Sequence, residues 1–126
     1  MQRLVAKIYG IVTAVLGLLG LTMGGAYIFG VMNTDLALDW IRLILAVLLL
    51  YAGFISEYSK LTRIALWAAG AIFVALGLVG LLDSRLAGLA PSGFTIFDAA
   101  AHLVSGLFAI AVAAKKETRR GTPVDA

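Results

Sequence analysis

The feature that most constrains this chain is that it spells one apolar hairpin twice, sixty residues apart. Leu16-Gly17-Leu18-Leu19-Gly20-Leu21 returns as Leu76-Gly77-Leu78-Val79-Gly80-Leu81. In the same register Arg3 meets Arg63, Gly10 meets Gly70, Arg42 meets His102, Leu43 meets Leu103 and Glu57 meets Glu117. Each half, 1–60 and 61–120, reads as two helices with a polar pair near the start of the second, and 115–126 reads as a polar tail.

A bilayer core about 30 Å thick takes about 20 apolar residues of helix. Four runs meet that length, at about 8–31, 36–55, 64–82 and 96–114. The first and third are free of charge, the second holds Asp39 and Arg42, and the fourth holds Asp98 and His102. With 62% hydrophobic and 13% charged residues, the chain has about half the charge of an ordinary soluble domain. The expected fold is all-α: an integral membrane four-helix bundle made of two parallel-repeat hairpins.

Lysine and arginine set orientation. Arg3 and Lys7 precede the first run, Lys60 and Arg63 join the second to the third, and Lys115, Lys116, Arg119 and Arg120 follow the fourth. The opposite loops offer only Arg85, plus Arg42 at a helix entrance. Both termini are therefore expected in the cytoplasm, with the chain multi-pass in the plasma (inner) membrane. Met23-Gly24-Gly25-Ala26 has the small residues of a signal cleavage site. The length of the first run and the return of its motif inside the third favour a retained span instead.

Lipid gives little hydrophobic drive between helices, so small residues that let backbones approach become the packing device. Gly10, Gly17 and Gly24 recur every seven residues, Gly20 and Gly24 form a GxxxG pair, and Gly70, Gly77 and Gly80 repeat the pattern on the third helix. The fourth helix is small throughout, with Gly106 among several alanines. These faces predict that helices one and three meet at the centre with helix four against them, the alternative being that some bind a neighbouring subunit. Tyr9, Tyr51, Tyr58 and Trp67 towards one side, and Tyr27, Phe29, Trp40, Phe94 and Phe97 towards the other, read as an interfacial aromatic belt.

The loops carry turn chemistry. Met32-Asn33-Thr34-Asp35 is a tight turn, and the longer Asp83–Thr95 segment, with Gly88, Pro91 and Gly93, is apolar enough to lie along an interface. Thr95-Ile96-Phe97-Asp98 has the form of a capping box with Asp in the Glu place.

One polar constellation remains. Asp39 and Arg42 are three apart, and Asp98 and His102 four apart, so each pair shares a helix face. Both acids sit in first turns, where the helix dipole favours them. The repeat brings the pairs to one depth on the outer side, as a polar clasp or as a functional site, since ionisable groups in a membrane are costly. His102, the only histidine, is either paired with Asp98 or a cofactor ligand to a haem or chlorophyll.

The segment Asp98-Ala99-Ala100-Ala101-His102-Leu103-Val104-Ser105-Gly106 resembles a motif of one family of small bacterial four-helix membrane proteins, a domain of unknown function. Its pattern is acidic-Asn-x-x-His-Leu-x-x-Gly at the start of the last helix, with Asn-x-x-x-Asn-x-x-His opening the second. Asp98, His102, Leu103 and Gly106 match, whereas Ala99 replaces Asn, and Asp35, Asp39 and Arg42 stand in the Asn, Asn and His places. The resemblance implies a four-helix fold and adds no activity.

Three function classes follow. The first is a non-enzymatic protein that acts by association, as an accessory or scaffold subunit of a larger membrane complex or as a homo-oligomer, with membrane lipids and a membrane-protein partner around it. The second is a small transporter or channel, against which stands the lack of a carboxylate in the first span. The third is an enzyme or redox carrier, for which one histidine and no cysteine leave almost no equipment. No cofactor is expected; lipid, quinone, haem or chlorophyll are the alternatives. The basic residues are explained by topology, so no nucleic acid is expected as partner.

Overall fold

The computed structural model describes residues 2–23, 27, 30, 33–88 and 93–115. Gly24 and its GxxxG pairing, Phe29, Pro91 and the tail beyond Lys115 lie outside the described residues. The described chain is all-helical, with four long helices and no strand. They are α1 (Gln2–Met23), α2 (Leu36–Leu50), α3 (Ser59–Leu82) and α4 (Ile96–Ala114). A single wide turn, Tyr51–Ile55, extends α2 and closes with Ser56 N–H donating to Tyr51 O at 2.9 Å. With that extension all four helices are long and apolar enough to cross a membrane.

Two helices start earlier than their charge-free runs. α1 takes in Arg3 and Lys7, and α3 takes in Lys60 and Arg63. Helix formation asks only for unbroken backbone bonding, and long basic side chains do not interrupt it. They also have work at that end. Arg3 Nη1 donates to the carbonyls of Ala52 (3.1 Å), Gly53 (3.3 Å) and Ser56 (2.5 Å), covering the end of α2. Gln2 Nε2 donates to Val112 (3.0 Å), Ala113 (3.3 Å) and Lys115 (3.0 Å), covering the end of α4. Carbonyls left over at helix ends need such partners.

The repeat governs the packing. A Cβ placed on Gly10 would stand 2.8 Å from the Leu50 side chain, and one on Gly70 would stand 2.7 Å from Ile110. Gly17 faces Leu43 and the Asp39 carbonyl, as Gly77 faces Leu103 and the Ala99 carbonyl. Every partner in the second set is the partner in the first plus sixty. The glycine faces of α1 and α3 therefore do not meet at the centre, as their stripes predict. Each turns to the second helix of its own hairpin, and Gly106 returns the contact by facing Val74 and the Gly70 carbonyl. Close backbone approach is realised inside the hairpins, where a short connection already brings the helices together.

The centre is built from other residues. Val5, Ala6, Leu45, Leu49, Ala52, Ala65, Leu66, Ala69, Phe73, Ala109, Val112 and Ala113 form one core cluster. Thr62 Oγ1 donates to Ala52 O at 3.1 Å, the counterpart of Gln2 to Val112 after a sixty-residue shift. Each hairpin thus ties its first helix to the last turns of the other. A smaller cluster of Leu38, Leu86 and Phe94 closes the opposite end.

Within the Asp83–Thr95 segment two apolar residues turn inward. Leu86 adopts φ 51° and Gly93 φ 93°, left-handed values that reverse the chain. Phe94 N–H donates to Ser84 O at 2.5 Å, and both Leu86 and Phe94 end up buried. Phe94 is therefore core rather than belt. Tyr9 is also drawn inward, its hydroxyl donating to Ser105 O at 2.9 Å. Trp40, Tyr51, Tyr58, Trp67 and Phe97 remain exposed.

Candidate functional site

The polar constellation lies at the end of the bundle where α2 and α4 begin. Asp39 and Arg42 share a face of α2, and Arg42 Nη1 reaches Asp39 Oδ1 at 3.3 Å as a buried ion pair. The Asp39 carboxylate fits against α1 only because residue 20 is glycine: a Cβ there would overlap it.

Asp98 is spent differently from the expected pairing with His102. Thr95 caps α4, and the capping box forms: Asp98 N–H donates to Thr95 Oγ1 (3.0 Å) and Thr95 N–H to Asp98 Oδ2 (3.1 Å). The Asn33 backbone N–H also donates to both carboxylate oxygens, at 3.0 and 2.9 Å. The acid therefore closes its own helix end and ties down the loop before α2. His102 turns to the Asp98 backbone instead, with Nδ1 2.7 Å from that carbonyl oxygen. A carbonyl only accepts, so Nδ1 carries the hydrogen, and Nε2 is an acceptor when the ring is neutral. Phe73 meets the imidazole edge-on at 5.6 Å and Phe94 lies tilted over it at 5.1 Å.

Asn33 completes the clasp. Its side-chain amide donates to Asp35 Oδ2 (2.9 Å) and to Gly93 O (2.8 Å), and its Oδ1 accepts from Asp35 N–H at 2.7 Å. Asn33 and Gly93 are sixty apart, so the two halves are bonded at equivalent positions. Tyr27 adds its hydroxyl to the same Gly93 carbonyl at 2.8 Å. The structure thus brings Asp39, Arg42, Asp98 and His102 to one end, with Asn33 and Thr95 as the groups that organise it.

One buried donor is left over. Among the described residues Arg42 Nη2 is the buried side-chain polar atom without a hydrogen-bond partner. Arg42 and Phe73 border a cavity of about 250 Å³ between α1 and α4, walled by Ile8, Tyr9, Val12, Thr13 and Leu16 on one side and Ala101, His102 and Ser105 on the other. Ile8 and Val12 are each 50% exposed at its mouth. The cavity falls below the ~300–1,000 Å³ of most small-molecule sites.

The cavity was not legible from motifs. Its signal is a size difference between halves: Thr13, Ala101 and Ser105 stand where the other half has Phe73, Ile41 and Leu45. No group of three or more His, Cys, Asp or Glu among the described residues is placed to hold a metal ion. The chain matches no protein-family model, no curated protein and no solved structure.

Proposed function

We propose that the chain is a multi-pass protein of the plasma membrane, with both termini cytoplasmic, that acts by association rather than catalysis. It serves as an accessory or scaffold subunit of a larger membrane complex or as a homo-oligomer. Four span-length helices and the concentration of Lys and Arg near the two termini and in the first turns of α3 support the placement.

The observation that carries the reading is how the polar groups are used. Asp98, Asn33, Thr95, Gln2 and Arg3 are committed to helix ends and loops, and Asp39 to Arg42. What faces outward is apolar, with Ile44, Val47 and Val104 each about two-thirds exposed. Such a surface suits lipid and neighbouring helices, which pack by dispersion. Affinity purification from native membranes in mild detergent, with mass spectrometry of what co-elutes, tests it. Stoichiometric partners, or a defined homo-oligomer, are expected; a monodisperse monomer at native abundance would overturn the reading.

A further inference from the structure

The cleft between α1 and α4 has a counterpart between α3 and α2, and the two are built differently. In the α2–α3 cleft the sixty-residue register places Ile41, Leu45 and Phe73, and Leu45 and Phe73 belong to the buried core. In the α1–α4 cleft the same positions hold Ala101, Ser105 and Thr13, and about 250 Å³ stays open. The opening is therefore a local departure from the repeat. Tyr9, opposite Ala69 in register, runs the other way in size and supplies an aromatic wall.

The open cleft is also bordered by Arg42, whose Nη2 is, among the described residues, the buried side-chain donor left over. Arg42 is 4% exposed, its Nη1 is taken by Asp39, and Nη2 has no partner. A buried charged N–H without an acceptor is costly, so an acceptor arriving through the cavity would relieve that cost. Its charge is constrained as well. Asp39 already pairs with Arg42 at 3.3 Å and so matches the one positive charge at the site. A further anion would add an unmatched charge, whereas a neutral carbonyl oxygen would not. Aromatic rings of Tyr9, Phe73 and His102 border the space, which favours a flat head group over a branched one.

We propose that the α1–α4 cleft is a binding site for a membrane-dissolved amphiphile with a flat, neutral, carbonyl-bearing ring, of the isoprenoid quinone class. The ring enters between Ile8 and Val12, one carbonyl accepts from Arg42 Nη2, and the apolar tail stays outside the mouth. With Nδ1 held by the Asp98 carbonyl, His102 in its neutral form offers Nε2 as an acceptor for a hydroxyl on the reduced form of the same head. The site rests on membrane insertion as proposed above and is independent of whether the chain works as a subunit.

The experiment uses the full chain in lipid nanodiscs with a decyl-substituted benzoquinone, bound quinone being read by mass spectrometry against empty nanodiscs. Saturable uptake of one molecule per chain is expected. Arg42→Met removes the donor, and Ala101→Phe fills the cavity while leaving the Asp39–Arg42 pair intact; each is expected to weaken binding by about tenfold or more. Uptake no greater than in empty nanodiscs overturns the site, as does unchanged affinity in a folded Arg42→Met protein. Should that variant fail to fold, unchanged affinity in Ala101→Phe overturns it instead. Oleate displacing the quinone at lower concentration than the quinone itself needs would overturn the neutral head. Resistance of the chain to alkaline carbonate extraction from membranes tests insertion separately, so failure of the site and failure of the membrane reading give different results.

Discussion

Gly20 on α1 leaves the volume that the Asp39 carboxylate of α2 occupies. A glycine in a packing stripe is here the condition for burying an ion pair. Gly20→Ala is expected to cost about 1–3 kcal/mol, the range for overpacking a fixed interior. Gly17→Ala, whose nearest obstacle is the movable Leu43 side chain, should cost less. Thermal unfolding of both variants in one detergent checks the order.

The Asp39–Arg42 pair should behave as a unit. Asp39→Leu alone leaves a buried guanidinium uncompensated and is expected to destabilise by about 3–5 kcal/mol. Adding Arg42→Met should recover most of that loss, because both charges then leave the interior together. A double-mutant cycle on unfolding free energies measures the coupling; additive losses would contradict it.

Much of the fold could be read from residue order. The sixty-residue return predicts the hairpins, and Gly10–Leu50 and Gly70–Ile110 obey it in contact. Thr95 and Asp98 spell a capping box that forms. The glycine stripes, however, give the small face of a helix and not the neighbour it selects, so the hairpin interiors and the bundle centre are indistinguishable in the pattern. Burial of Phe94 depends on the left-handed Leu86 and Gly93, and no residue-type preference predicts such a backbone at leucine. The cavity was hidden for the opposite reason: it exists where Thr13 and Ser105 break the likeness between halves, and a search for likeness passes over it.

Asp98 should matter to the loops more than to any chemistry. Asp98→Ala removes the partner of Thr95 N–H and of Asn33 N–H. A loss of about 1.5–3 kcal/mol is expected, the range for hydrogen bonds to a charged group. Faster limited proteolysis within residues 83–95 should accompany it. His102→Ala, which leaves both of those bonds in place, should not open the same segment.

The chain contains no cysteine, so single cysteines report topology without background. Arg85→Cys is expected to react with an impermeant maleimide on intact cells, and Lys60→Cys only after the membrane is opened. The reverse pattern would invert the orientation set by the basic residues.

Gln2 reaching Val112, and Thr62 reaching Ala52, mean that each hairpin helps to close the base of the other. Each finishes the other, as two identical subunits would across a twofold axis. Residues 56–58, which join them, then act as a tether that raises local concentration while the specificity of assembly lies wholly in the shared interior. Two separately made pieces, 1–57 and 58–126, should find one another in a bilayer, and two whole chains at high density could trade halves and emerge as an interlocked pair.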